Sequence, residues 1–228
     1  MKILLINASP RKNGATAKLL AEYAKNLSSK GNVEARLIHL ADLELQFCRG
    51  CCQCSKRGDC ILADDADRLS EQIGGADGLI VGTPCYASNV TGQLKTLIDR
   101  GHFVFEQLLK GKYAVGVVTY ENAEGGAAFK ALKKLFVFSG AQTAGKLMVK
   151  LPFGADPLEV EGVKAKVGKQ SDQLYRAITH KKAAKFTTRA VQFLVFHFGI
   201  KPFVLKKGDL YGGVRKHWEK RNVAFKKS

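Results

Sequence analysis

The sequence contains no long hydrophobic run. The roughly 20 consecutive apolar residues of a membrane-spanning helix occur nowhere in it. The apolar run near the N-terminus, residues 3–6, follows a single lysine and is too short for a secretion signal. Internal repeats and low-complexity segments are also missing. With 46% hydrophobic and 25% charged residues, the composition is that of a globular protein, which we expect to be soluble and cytoplasmic.

The side-chain patterns of hydrolytic enzymes are also missing. Neither a Ser/His/Asp arrangement nor a suitably spaced pair of carboxylates is present. The histidines are scattered without the spacing of metal ligands. We therefore expect no hydrolysis and identify no catalytic side chain. The histidines in question are His39, His102, His180, His197 and His217.

Acidic residues are scarce. The chain has 20 Asp and Glu against 37 Lys and Arg, a formal net charge of +17. Residues 179–228 carry 13 of the basic residues and only 2 of the acidic ones. Such a surface suits an acidic protein, an anionic lipid or a nucleic acid, or it only keeps the protein in solution. We expect no nucleic-acid partner.

Short apolar runs alternate with helical patterns in residues 1–180, and the run at 113–118 is typical of a parallel strand covered on both faces. Five such units predict an α/β fold, a three-layer doubly wound parallel sheet with right-handed crossovers. We expect the flavodoxin-like strand order 2-1-3-4-5, which places a ligand between the ends of the first and third strands. The predicted strands are 3–6, 33–40, 78–82, 113–118 and 143–151. The first predicted helix begins at Thr16, and the other four cover 64–73, 91–109, 127–138 and 159–179.

The first strand runs into a polar loop and then a helix, which is an arrangement that binds anions through free backbone N–H groups. The loop has neither the G-x-G-x-x-G pattern of dinucleotide sites nor the G-K-[ST] ending of nucleoside triphosphate sites. Its hydroxyl, amide and basic groups instead suit the compact terminal phosphate of a mononucleotide such as FMN. The residues predicted to bind it are Ser9, Arg11, Lys12, Asn13, Gly14, Ala15 and Thr16.

Two further loops supply candidates for the rest of such a ligand. A flat ring system needs an aromatic or apolar wall and polar groups at its edge, and Tyr86 and Asn89 after the third strand could provide them. After the fourth strand, Gly125 and Gly126 would allow close backbone approach. The predicted contacts are Thr83, Pro84, Cys85, Tyr86, Ala87, Ser88, Asn89, Thr119, Gly125 and Gly126.

Five of the six cysteines fall within 13 residues. The spacing Cys48-x2-Cys51-x2-Cys54-x5-Cys60 gathers four thiols in a short loop, with Cys52 left over. Four thiolates can ligate a [4Fe–4S] cluster. They can also bind zinc in a tetrahedral site, or remain as thiols or oxidised pairs, and the three alternatives stay open.

In order and spacing, these motifs resemble the NAD(P)H-dependent FMN reductases, and within them the iron–sulfur flavoproteins. The resemblance covers about residues 1–180. It implies a flavodoxin-like domain at 1–180, FMN lying across dimer contacts, and homodimers or homotetramers. It also implies that Cys48, Cys51, Cys54 and Cys60 are the cluster ligands. The segments that carry it are Ala8–Thr16, the Cys48–Cys60 loop with Asp64-Asp65, Thr83–Tyr86, Gly92–Lys95 and Ile98–Arg100.

The expected activity is therefore an FMN-dependent oxidoreductase. NAD(P)H or an acidic ferredoxin-like protein would supply electrons, and a cluster would pass them singly to an acceptor. A cluster-free NAD(P)H:FMN or quinone reductase is the enzymatic alternative. A binding module with a basic tail for membrane or nucleic acid is the alternative of another class.

Residues 181–228 form a C-terminal extension outside the resemblance. Residues 186–198 are strongly apolar and aromatic between basic flanks. We expect this segment to pack within the chain or on another subunit, and peripheral membrane contact is the weaker alternative.

Overall fold

The computed structural model describes residues 1–122, 124–183 and 185–223. Its centre is a five-stranded parallel sheet in the order β2-β1-β3-β4-β5. Helices cover both faces, so the predicted flavodoxin-like order and the three-layer fold are confirmed. The strands are β1 (Lys2–Asn7), β2 (Glu34–His39), β3 (Gly78–Pro84), β4 (Tyr113–Tyr120) and β5 (Gln142–Lys150).

The sheet is parallel because each strand is followed by a crossover that returns to the same edge. These crossovers contain the helices α1 (Ala15–Ser28), α2 (Gln53–Arg57), α3 (Ala66–Gly75), α4 (Gly92–Arg100) and α5 (Gly125–Phe138). The helix α6 (Val163–Thr179) follows β5. Further along lie α7 (Phe186–Leu194), a π-helical turn (Val195–Ile200), α8 (Lys201–Lys206) and α9 (Gly212–Lys220).

Two apolar cores lie on opposite faces of the sheet. Side chains alternate along each strand, so Leu4 and Ile6 contact one core while Ile3 and Leu5 contact the other. The first core packs against α3, α4 and α5, and the second against α1 and α6. Buried on both faces, β1, β3 and β4 have the continuous apolar sequence that predicted them.

Helix α4 is shorter than predicted. The apolar pattern extended it to Leu109, but the helix ends at Arg100 and residues 101–112 form turns. At Gly101 a Cβ would lie 2.3 Å from the Phe103 ring, and His102 has a positive φ of 54°. The apolar side chains of Phe103, Leu108 and Leu109 are still buried. Their spacing resembles that of a helix because these turns also bury them.

The C-terminal extension forms a small apolar cluster of its own. Trp218 is fully buried there and packs edge-on against Phe196. Its Nε1–H donates to the carbonyl oxygen of Phe105 at 2.7 Å, which ties α9 to the turns after α4. Within the described ranges, none of the helices combines the length and apolarity needed to cross a membrane. The division into domains at residue 180 stays a proposal.

Candidate functional site

A cavity of about 760 Å³ opens at the carboxyl edge of the sheet, where the loops after β1, β3, β4 and β5 meet. This volume lies within the range of cofactor pockets. Eleven of the residues predicted from sequence line it: Arg11, Lys12, Asn13, Gly14, Ala15, Pro84, Cys85, Tyr86, Ala87, Ser88 and Thr119.

The start of α1 presents unused hydrogen-bond donors to this cavity. Among the described residues, the backbone N–H groups of Lys12, Asn13 and Ala15 have no protein acceptor. Helix α1 has no side-chain cap at Gly14 and no acidic residue in its first turn. Uncapped N–H groups and the positive end of the helix dipole both favour an anion.

The two predicted hydroxyls, Ser9 and Thr16, are buried and lie outside the cavity lining. The Ser9 hydroxyl accepts a hydrogen bond from Arg11 N at 3.1 Å and so shapes the loop. The Thr16 hydroxyl pairs with that of Thr119 at 2.8 Å and joins α1 to the end of β4. In the structure both hydroxyls position the loop, and their direct contact with a phosphate stays a prediction.

The loop after β3 projects a tight turn at the cavity. Tyr86 and Asn89 exchange both backbone hydrogen bonds, at 3.0 and 2.9 Å. The two central residues, Ala87 and Ser88, have positive φ values of 46° and 61°. Non-glycine residues pay for this conformation in strain, and such strain often accompanies ligand sites. Tyr86 is half-exposed beside the turn.

Four other predicted residues do not line the cavity. Thr83 is buried, and its hydroxyl accepts from Thr91 N at 3.2 Å. The Asn89 side chain accepts from Val90 N at 2.8 Å. At Gly125 a Cβ would lie 2.5 Å from the Tyr120 ring, so glycine allows α5 to begin there, whereas Gly126 is open to solvent.

The segment after β5 forms a wall of the cavity that was not predicted from the sequence. Lys18 Nζ is 2.6 Å from Asp156 Oδ2, and this hydrogen bond holds the pKa of Asp156 below its usual range. The Arg11 guanidinium lies 4.3 Å from the centre of the Phe153 ring. The parallel-sheet rule, which places every strand's carboxyl end at one edge, could have found this wall. The missed lining residues are Lys18, Tyr120, Glu121, Asn122, Glu124, Leu151, Pro152, Phe153, Gly154 and Ala155.

The Cys85 thiol, which lines the cavity, is not activated. Partial burial raises its pKa, and the nearby charge of Glu124 raises it further. Its Sγ donates to the carbonyl oxygen of Glu124 at 3.5 Å. A reactive thiol needs a lowered pKa, so Cys85 has a packing role beside the cavity.

The cysteine loop is pinned at its base by a buried ion pair. Arg100 donates from Nη1 and Nη2 to the Asp64 carboxylate at 2.7 and 2.9 Å, and the two side chains are only 1% and 0% exposed. Arg100 also donates to the carbonyl oxygen of Gln46 at 2.7 Å. Burial alone would raise the pKa of Asp64, but these hydrogen bonds outweigh it and lower the pKa.

The thiols of the loop differ in their surroundings. Cys48 and Cys51 are exposed, whereas Cys54 and Cys60 are half-buried. Burial raises the pKa of Cys54, and the nearby thiols of Cys60 and Cys48 raise it further. Three of the four thiols are therefore close enough to interact electrostatically. Across the described part of the chain, however, no three His, Cys, Asp or Glu side chains are gathered tightly enough to hold a metal ion.

The family model for NADPH-dependent FMN reductases matches residues 1–156. This chain belongs to that family. An iron–sulfur flavoprotein of Clostridioides difficile is 34% identical over 98% of this chain and 100% of its own length. An iron–sulfur flavoprotein of Archaeoglobus fulgidus is 40% identical over 62% of this chain and 70% of its own. The match over 98% of the chain includes most of the C-terminal extension.

Two solved structures of similar proteins confirm the fold. The apo form of the NADH:FMN oxidoreductase EmoB superposes with a TM-score of 0.56 at 22% identity, covering 82% of this chain and 93% of that one. A flavone reductase superposes with a TM-score of 0.63 at 17% identity, covering 82% and 66%. Membership of this family makes the protein an FMN-dependent oxidoreductase, as the sequence motifs predicted.

Proposed function

We propose that FMN binds in the cavity with its phosphate at the start of α1. The observation that carries this proposal is the set of unused backbone N–H groups at Lys12, Asn13 and Ala15, in a helix that begins without an acidic residue. Arg11 adds positive charge at the rim. A phosphate monoester would satisfy these donors, and the side chains of Ser9 and Thr16 would hold the loop in shape.

The flavin ring system would then lie between the turn at 86–89 and the loop after β4. Tyr86 offers an aromatic face, and the strained turn at Ala87 and Ser88 brings backbone groups to the ring edge. Bound FMN supplies the centre that accepts a hydride and releases electrons. The residues around it only orient the ring, and NAD(P)H is the proposed donor.

The cysteine loop is the proposed site of a [4Fe–4S] cluster bound by Cys48, Cys51, Cys54 and Cys60. The support comes from the similarity to the two iron–sulfur flavoproteins and from the electrostatic proximity of Cys48, Cys54 and Cys60. These thiols are near one another without being gathered, so the exposed Cys48 and Cys51 would move toward Cys54 and Cys60 when the four bind one cluster. Thiolate ligands in a compact loop are the donor set that such clusters need.

An acidic protein of the ferredoxin type is the proposed redox partner. The chain carries a net charge of +17, and complementary charge speeds the encounter of electron-transfer proteins. The cluster would give such a partner a one-electron exit or entry point beside a two-electron cofactor.

A cluster-free NAD(P)H:FMN or quinone reductase is the second candidate. The observation that favours it is that no three candidate ligands are gathered within the described residues. The flavin site would be the same in both cases, so only the cysteine loop distinguishes the two.

Iron and acid-labile sulfide analysis of anaerobically purified protein decides between them. We expect about four irons per chain, as in a [4Fe–4S] centre ligated by four cysteines. The variant Cys54→Ser should lose most of this iron while it keeps bound flavin. The matched control Cys52→Ser should retain it, because Cys52 lies outside the proposed ligand set. Iron-free wild-type protein with full NAD(P)H oxidation would establish the cluster-free reductase instead.

A further inference from the structure

Helix α9 of the C-terminal extension lies directly on the second half of the cysteine loop. A Cβ at Gly213 would fall 2.1 Å from Gly58 N and 2.6 Å from the carbonyl carbon of Arg57. Only glycine permits this approach of two backbones. At Gly58 itself the φ is +105°, and a Cβ there would lie 3.2 Å from His217 Nε2. The two segments therefore meet without any intervening side chain.

The Gly58 peptide group is held from both sides. Its N–H donates to the carbonyl oxygen of Cys54 at 2.8 Å. Its carbonyl oxygen accepts from His217 Nε2 at 2.6 Å. Gly58 ends the short helix α2, which contains Cys54, and Gly58 lies two residues before Cys60. His217 thus contacts the link between two thiols of the loop.

A buried network of charged and polar side chains lies against the other ring nitrogen of His217. Glu106 is only 2% exposed, and its carboxylate lies 3.5 Å from His217 Nδ1. Arg221 donates to Glu106 Oε2 at 3.1 Å, and His102 Nδ1 donates to Oε1 at 2.7 Å. A buried carboxylate with three cationic or polar partners is a rigid anchor.

The same network reaches Cys60. Its backbone N–H donates to Asp67 Oδ2 at 2.8 Å. The other oxygen of that carboxylate lies 3.9 Å from His102 Nε2. In contrast, the contact of the Cys48 sulfur is local, a hydrogen bond from Gly50 N at 3.4 Å. The loop consequently has an anchored half with Cys54 and Cys60, and an exposed half with Cys48 and Cys51.

We propose that α9 is a structural part of the cysteine site, with Gly213 and His217 as positioning residues that hold Cys54 and Cys60 in place for their ligand. The identity of that ligand as an iron–sulfur cluster rests on the proposed function, but the positioning does not. The extension would then be part of the cysteine site. The sequence had predicted packing within the chain or on another subunit for the apolar segment 186–198, with peripheral membrane contact as the weaker alternative, and had assigned no role to the residues of α9.

Alkylation of each cysteine in the metal-free, reduced full-length protein tests this directly, read by mass spectrometry. In wild type, Cys54 and Cys60 should react more slowly than Cys48 and Cys51. In His217→Leu the rates at Cys54 and Cys60 should rise about fivefold, the effect of losing one hydrogen bond on local opening, with Cys48 and Cys51 unchanged. His217→Gln, which keeps a donor, should restore slow labelling, and the exposed neighbour Lys216→Ala should have no effect.

Equal labelling of His217→Leu and wild type would overturn the proposal. Should His217→Leu fail to fold, as judged by loss of flavin binding, hydrogen exchange of wild-type protein decides. Residues 53–60 must then exchange more slowly than residues 46–52, and equal exchange contradicts the positioning role. Failure of the cluster proposal is visible separately, as iron-free wild-type protein in which these labelling differences persist.

Discussion

The Arg100–Asp64 pair is the residue-scale feature that closes the base of the cysteine loop. Both side chains are essentially inaccessible, and together they bind the chain at Gln46, before the cysteines, and at Ala66, after them. A charge so deeply buried is tolerated because its partner and its hydrogen bonds are in place. Removing one partner leaves the other charge uncompensated.

Replacing Asp64 by Asn should therefore lower the free energy of unfolding by about 3–5 kcal/mol at neutral pH, because the Arg100 charge stays buried. Urea denaturation followed by circular dichroism measures this. The exposed pair Asp65–Arg68 provides the control, and Arg68→Ala should change stability by less than about 1 kcal/mol.

Acidification supplies a second readout for the same pair. The pKa of Asp64 is lower in the folded protein than in the unfolded chain. Its stabilisation is therefore complete above the unfolded pKa of about 3.9 and is lost as the pH falls through the folded pKa. The stability difference between wild type and Asp64→Asn should shrink over that acidic range. A difference that stays constant with pH would show that charge is not the cause.

At the scale of secondary-structure elements, the contact between strand β3 and helix α1 positions the candidate site. Strand β3 lies so close to α1 that a Cβ at Gly82 would sit 2.8 Å from Thr16 Cγ2 and 2.9 Å from Leu20 Cδ1. Since Thr16 lies in the first turn of α1, this contact places the helix start at the edge of the cavity. The position of the proposed phosphate site thus depends on a missing side chain in the neighbouring strand.

The substitution Gly82→Val should displace α1, lowering the free energy of unfolding by about 1–3 kcal/mol, as overpacking does, and weakening FMN binding. Gly92→Ala is the matched control, because nothing lies within 4 Å of a Cβ there. Fluorescence titration with FMN and urea denaturation measure the two effects. If Gly82→Val is destabilised but binds FMN with unchanged affinity, the contact between β3 and α1 does not determine the position of the phosphate site.

The elements of the sheet domain were predictable from sequence because buried parallel strands have continuous apolar runs. The local structure of the segments between these elements was less predictable. Phe103 and Leu108 are buried in turns, yet their spacing indicated a helix. The helix Gln53–Arg57 was not predicted, because it is only five residues long and is supported by distant contacts with α9.

The candidate site shows the same limit. The residue types that suit a phosphate were recognisable at Arg11 and Lys12, which line the cavity. That the Thr16 hydroxyl pairs with Thr119 depends on a partner 103 residues away. Phe153 was missed because no phosphate-binding or ring-binding pattern marks it, and only its place after β5 brings it to the cavity.

At the scale of the whole molecule, the C-terminal extension leaves an apolar surface open. Phe193, Leu194 and Phe198 are each more than half exposed, and Phe198 is 73% exposed. The ring centres of Phe193 and Phe198 lie 6.2 Å apart, so these side chains are neighbours, and contiguous exposed apolar surface is typical of interaction sites. We propose a second copy of this chain as the partner, in a homodimer or homotetramer.

Replacing Phe198 by Asp should accordingly reduce the molar mass in sedimentation equilibrium, because a charge would be buried at the subunit contact. Stability of the separated chain should change by less than about 0.5 kcal/mol, since the position is exposed there. Phe47→Asp makes the same chemical change at an exposed site outside the extension and should leave the mass unaltered. Equal masses for wild type and Phe198→Asp would place the contact elsewhere.

Binding of FMN compared with riboflavin tests the central claim most directly, because the two ligands differ only in the phosphate. The free backbone N–H groups at the start of α1 should bind the phosphate of FMN and so make the difference in affinity large. We expect the flavin-free protein to bind one FMN per chain and to bind riboflavin at least about 100-fold more weakly, as the loss of several charge-assisted hydrogen bonds requires. Equal affinity for FMN and riboflavin in calorimetric titration would contradict a phosphate site at α1.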